Sequence, residues 1–191
     1  MKSAFFYFFC LILTSCSLPH TLPTPDVDGG KDKKAGRLLS IRVERWDTLR
    51  FSGLLGFRNN ATGLEYVLLD ATGAKLLMAE VAVDGSHNLL RVGGPLKKSD
   101  FAPFLSEALA RIYLQVPTGI SCVGSWIYQV CREESEDKGW SKYGKVGPFK
   151  LWRISTGQAG LNLPGADAAS LAYHQPWLGV RIYLEPPKLV P

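Results

Sequence analysis

Between residues 38 and 92, apolar residues recur at every second position in short runs, and turn-forming residues separate each run from the next. Leu39, Ile41 and Val43 alternate with Ser40, Arg42 and Glu44; after Trp46-Asp47-Thr48 the alternation resumes through Leu49, Phe51, Leu55 and Phe57. A period of two places successive side chains on opposite faces of an extended chain, so each run reads as a strand. Asn59-Asn60-Ala61-Thr62-Gly63, Asp70-Ala71-Thr72-Gly73 and Asp84-Gly85-Ser86 are turns by composition, because Asn, Asp and Gly supply the backbone freedom and local hydrogen bonds of tight turns. Strands over 64–69, 74–83 and 89–92 follow. Neighbours joined this tightly pair antiparallel, which predicts a meander.

The third and fourth runs are apolar on both faces. Leu64, Tyr66 and Leu68 share one side and Val67 and Leu69 the other, and residues 75–83 carry Leu76, Leu77, Met78, Val81 and Val83. Such a sheet is covered on both faces or curls around something apolar. Past Gly93-Gly94-Pro95 the period becomes helical. Phe101, Phe104, Leu105, Ala108, Leu109, Ile112 and Tyr113 form one stripe, Ser99 or Asp100 is the expected cap, and Glu107 and Arg111 pair on the opposite side. Val116-Pro117-Thr118-Gly119 ends the helix. Beyond it, residues 120–130 and 149–154 read as strand-like, 132–145 as a polar loop holding Trp140 and Tyr143, 155–168 as a loop and 177–184 as the last strand. The expected class is mainly β (α+β) with one covering helix.

The first residues carry a separate message. Lys2 precedes an apolar run from Ala4 to Leu13, and Leu13-Thr14-Ser15 leads into Cys16, the layout of a lipoprotein signal with its lipobox. The run is too short to span a bilayer as a helix. Residues 1–15 are thus expected to be a signal peptide, and the Cys16 thiol to receive a diacylglyceryl group. Residues 16–36, rich in Pro, Asp, Gly and Lys, read as lipid anchor and flexible tether, and 37–187 as a single domain. Ser17, standing where an Asp would hold the protein at the inner membrane, favours the outer membrane by resemblance to enterobacterial sorting rules. Within the tether, Asp26-Val27-Asp28-Gly29-Gly30 starts like a calcium loop, but Arg37 occupies the place of its bidentate Glu.

The formal net charge of +5 is spread along the chain without a compact basic stripe, so no nucleic-acid partner is expected. Cys10 leaves with the signal, and Cys122 and Cys131 remain. Outside the cytoplasm they are either a disulfide or two buried thiols. On one straight strand they would lie roughly 30 Å apart on opposite faces, so a bridge requires a turn between them, near Gly124-Ser125. No Cys/His cluster suits structural zinc. His87 in a turn and His174 before the last strand match no catalytic spacing, and no Gly-x-Ser-x-Gly occurs. Neither catalysis nor a cofactor is expected.

The lipobox, the meander around Leu69-Asp70-Ala71-Thr72-Gly73-Ala74-Lys75-Leu76, the helix over 99–113 and the closing segment 173–184 together resemble an uncharacterised proteobacterial lipoprotein family. Some of its members are encoded beside aryl-polyene pigment genes. That family is in turn similar to the periplasmic lipoprotein carriers LolA and LolB. The resemblance implies a curved, unclosed antiparallel β-barrel whose concave side is covered by the helix and holds acyl chains. It fits poorly over 119–145. The expected partners are the membrane, through the N-terminal lipid, and an acyl-chain or lipoprotein cargo; the alternative expectation is a structural or accessory lipoprotein that docks an envelope protein. Phe51, Leu68, Met78, Val81, Phe104, Leu105, Leu109, Ile112 and Trp126 are the candidates for an acyl pocket.

Overall fold

A computed structural model of the chain describes residues 36–97, 99–117, 122–134, 140–156 and 170–187. The expected signal peptide, Cys16 and the tether up to residue 35 lie outside the described residues. The meander is β1 (Arg37–Arg45), β2 (Thr48–Asn59), β3 (Gly63–Leu69), β4 (Lys75–Ala82) and β5 (His87–Val92). A 3-10 turn (Gly94–Leu96) leads to helix α1 (Phe101–Leu109), which a π-helical turn (Ala110–Leu114) continues. The second half is β6 (Cys122–Gly124), β7 (Tyr128–Glu134), β8 (Trp140–Val146), β9 (Phe149–Thr156), β10 (Leu171–Gln175) and β11 (Val180–Glu185).

All eleven strands belong to one antiparallel sheet, ordered β5-β4-β3-β2-β1-β11-β10-β9-β8-β7-β6. The last strand returns to pair with the first, with Ile41 opposite Leu184 and Val43 opposite Ile182. Two meanders are thereby fused at the middle of a curved, unclosed sheet with β5 and β6 at its ends, the architecture expected above. No helix among the described residues is long and apolar enough to cross a membrane.

One face of the sheet carries the core. Ile41, Leu55, Leu64, Leu68, Leu77, Ile154 and Ile182 are completely buried, and α1 adds Leu105, Ala108 and Leu109 to the same cluster. Burial of each such Leu or Ile is worth about 1.5–3 kcal/mol. Of the two arrangements expected for β3 and β4, covered faces or a curl around something apolar, the structure has the curl. Val67, Leu69 and Met78 on their outer side are only half-buried, while Leu64, Tyr66, Leu68, Leu77, Ala79 and Val81 point inward. The sheet satisfies its apolar pattern by curling its inner face around the helix.

Three expectations need correction. The stretch 132–145 is not a polar loop, since β7 and β8 pair across it, with Arg132 opposite Lys142 and Cys131 opposite Tyr143. Its polar residues are held by one another: Tyr143 Oη donates to Glu133 at 2.6 Å, Arg132 lies 5.3 Å from the Trp140 ring centre and Lys150 Nζ lies 4.1 Å from that of Tyr143. Trp177 belongs to a 3-10 turn (Pro176–Leu178) that Gly179 closes at φ 61°, so the last strand starts at Val180. Neither expected helix cap works as one: Asp100 makes no capping bond and Ser99 donates instead to the Leu96 carbonyl.

Cys122 and Cys131 are disulfide-bonded. They face each other across β6 and β7, their Cα atoms 4.0 Å apart, and the chain reverses between them at Ser125, whose Oγ accepts from the Tyr128 amide. The bridge fastens a three-residue strand to the sheet. Closing so short a loop lowers the entropy of the unfolded chain by about 2–3 kcal/mol at room temperature. Reduction, or a Cys122→Ser/Cys131→Ser variant, is expected to lower unfolding stability by that amount. Hydrogen exchange should locate the added opening at β6 and β7, and an unchanged denaturation midpoint would contradict it.

Candidate functional site

The helical segment formed by α1 and its π-helical continuation lies in the concavity and touches both halves of the sheet by different chemistry. Toward the meander its contacts are apolar, with Phe57 and Tyr113 rings 4.5 Å apart; Tyr66 and Ser106 add a buried hydroxyl pair at 2.9 Å. Toward the second half they are polar. Arg111, expected on the solvent side with Glu107, does pair with Glu107, yet it is turned inward. Its Nη1 donates to Tyr173 Oη at 2.7 Å, and its guanidinium carbon lies 5.6 Å from the Trp152 ring centre. Trp152 Nε1 donates to Tyr128 Oη at 3.1 Å. At the end of the helical segment, Lys142 Nζ donates to the carbonyls of Ile112 and Gln115 at 3.0 and 2.9 Å.

Burial dominates the electrostatics here. It pushes the Tyr66 and Tyr173 hydroxyls up to about 12 and holds Lys142 down to about 7, with the nearby Arg132 charge acting in the same direction. His174 is lowered by burial and then by Arg181. Tyr66, Tyr173 and Lys142 lock helix to sheet; none of these groups pairs a nucleophile with a base.

Strand directions place the apolar surface at one end of the sheet. The β1–β2 turn, the β10–β11 connector, the β8–β9 turn and the β6–β7 turn all lie at the end where Arg45 opposes Val180, Val146 opposes Phe149 and Tyr128 opposes Val146. The N-terminal residue of β1, Arg37, lies at the other end. The helix starts at the first end, directly after β5 and the 3-10 turn. There Phe51 and Phe101 rings are 5.9 Å apart, and Phe104 meets Tyr173 edge-on at 6.4 Å. Phe51, Phe101 and Phe104 are half-buried against the core, an aromatic edge, or mouth, where the helix meets the sheet.

Around this mouth the hairpin tips carry Trp126 at 88 % exposure, Trp177 at 65 %, Trp46 at 63 % and Phe149 at 59 %. The tips support one another. The Trp46 amide donates to the Gly179 carbonyl at 2.8 Å, the Trp46 ring occupies the space a Cβ on Gly179 would need, and Trp177 Nε1 donates to the Lys150 carbonyl at 3.2 Å. Trp46 and Asp47 both adopt positive φ, 52° and 59°. That conformation is strained for a bulky side chain and is stabilised by the Asp47–Arg181 ion pair.

Of the acyl-pocket candidates, Leu68, Val81, Leu105, Leu109 and Ile112 are buried members of one cluster, and Phe51 and Phe104 sit at the mouth. Two do not belong. Met78 alternates with the inward Leu77 and Ala79, so it lies on the outer face beside Val67 and Lys75, in a shallow hollow of about 250 Å³. Trp126 occupies the β6–β7 tip and points to solvent. The sequence pattern does not mark the exposed Trp46, Phe149 and Trp177 as one surface. Their signal was aromatic residues beside turn formers such as Gly147-Pro148 and Pro176, and only strand pairing brings them to one end.

No protein-family model matches the chain, and no curated protein matches it either.

Proposed function

We propose that this is a lipid-anchored outer-membrane protein, facing the periplasm through Cys16, that binds or hands on an acylated or otherwise apolar molecule without catalysis. The observation that carries the reading is the aromatic mouth: Phe51, Phe101 and Phe104 remain half-buried where the core under α1 meets solvent. An apolar chain entering there gains roughly 25 cal/mol per Å² removed from water. The resemblance to LolA and LolB is consistent with this use of a curved sheet. A second reading, an accessory lipoprotein that docks a partner in an envelope complex, is favoured by the exposed hairpin tips.

Native mass spectrometry of the protein released gently from its host, followed by titration with a fluorescent fatty-acyl probe, tests the carrier reading. A co-purifying acyl or polyene mass is expected. Phe51→Ser/Phe104→Ser is expected to weaken probe binding about tenfold or more, since each ring buries part of the probe. A bare mass together with no probe uptake would move the function to partner docking. Attachment of lipid is read independently: a Cys16→Ala variant should leave the membrane fraction, and its retention there would refute the anchor.

A further inference from the structure

The rim has features that the carrier reading does not use. Its exposed side chains mix Trp46, Trp126 and Trp177 with Ile127, Phe149 and Leu178 on adjoining hairpin tips. Trp rings favour the boundary between headgroups and acyl chains, and aliphatic side chains favour the layer just below. The cations beside these tips are Arg45, Arg50, Lys145 and Lys150, and none of the four is in an ion pair with another described residue. The carboxylates nearest these tips are neutralised, Asp47 by Arg181 and Glu44 by Arg42, while Asp70 in the β3–β4 turn and Asp100 at the helix start lie at the same end on other elements. The tips of the β1–β2, β6–β7, β8–β9 and β10–β11 hairpins are therefore apolar, with cations just behind them.

We propose that the hairpin tips at the mouth end insert into the headgroup layer of an anionic phospholipid bilayer, giving the domain a membrane contact of its own at the end opposite its N-terminal tether. The alternatives fit less well. A sugar-binding platform would set its aromatics among carboxylates and amides, not among Ile127 and Leu178, and protein interfaces tend to be poor in lysine. The chain between Cys16 and Gly36 reaches at most about 70 Å, more than the roughly 40 Å length of β2's twelve residues. The rim can therefore return to the leaflet that holds the anchor.

The test is tryptophan quenching of the full chain bound to vesicles that contain brominated phosphatidylcholine and phosphatidylglycerol. The wild-type chain should be quenched strongly, and Trp126→Phe/Trp177→Phe should lose most of that quenching. Arg45→Gln/Lys150→Gln should weaken rim contact by about fivefold per cation removed, and high salt should act alike. A domain that stands off from the bilayer, unquenched while the chain remains vesicle-bound, would overturn the proposal. So would quenching that is indifferent to phosphatidylglycerol, or tips that become shielded only when the chain self-associates. Because quenching is compared within vesicle-bound chains, loss of rim contact reads differently from loss of the Cys16 anchor or of acyl-probe binding.

Discussion

Replacing Trp152 by Ala is expected to destabilise the protein by about 3–5 kcal/mol, the range for deleting a fully buried aromatic side chain. Trp152 is completely buried on the inner face of β9. It stacks on Tyr173 with ring centres 6.4 Å apart and planes at 22°, lies beneath the Arg111 guanidinium and bonds Tyr128 on β7. Its removal leaves a cavity and loosens the cation that ties α1 to the second half of the sheet. Gly144, opposite it on β8, has no side chain for a definite reason: a Cβ there would come within 2.3 Å of Trp152 Nε1. Gly144→Ala alone should cost about 1–3 kcal/mol through overpacking. The Gly144→Ala/Trp152→Ala double variant should be less unstable than the sum of the singles, because the new methyl occupies vacated space. Urea unfolding of the four proteins measures this cycle. A Trp152→Ala effect under about 1 kcal/mol would mean that the second half of the sheet does not depend on this ring.

Lys142 should make stability pH-dependent in a direction opposite to that of a surface lysine in a favourable ion pair. Its side chain is 2 % exposed, and its amine is held down to about 7 chiefly by burial. The unfolded chain keeps the proton up to about pH 10.4, so between these values the folded state binds fewer protons than the unfolded one. Stability therefore rises with pH from about 7 upward and is diminished below it, where a charged amine sits in the core. The upper limit is set by Tyr66 and Tyr173, raised to about 12, which make the folded state lose stability above about pH 10. In the window from about pH 7 to 9.5, Lys142→Met should flatten the slope of unfolding free energy against pH. The neutral amine still donates to Ile112 and Gln115, and those carbonyls lie at the end of the helical segment, where unpaired acceptors are costly. Hence Lys142→Met should cost about 1–3 kcal/mol at pH 9 and less at pH 6. Equal slopes in the two proteins would show that the amine is hydrated in the folded state.

The meander was legible because its strands obey a local rule. Leu39, Ile41 and Val43 announce an inner face by alternation, and Asp70 and Asp84 announce turns by the bonds their carboxylates accept from Thr72 and Ser86. The second half followed no such rule. Arg132 and Lys142 face inward on β7 and β8, and a charged residue on an inner face breaks the pattern that sequence reading relies on. The pocket candidates divided for a similar reason. Leu105 and Leu109 follow from helical period, whereas only their apolarity marks Met78 and Trp126 in the sequence, and parity and turn position put them outside the concavity.

The sequence by itself determined the strand-and-turn grammar of residues 38–92, the helix with its apolar stripe and the turn that a Cys122–Cys131 bridge requires, because alternation, helical period and turn chemistry act between residues close in the chain. Tertiary structure alone decided that β11 closes back on β1, that Arg111 turns inward and that Trp46, Trp126, Phe149 and Trp177 share one end. Each of those outcomes depends on pairing between segments far apart in sequence, where the energy lies in which strands meet and not in what any one strand prefers.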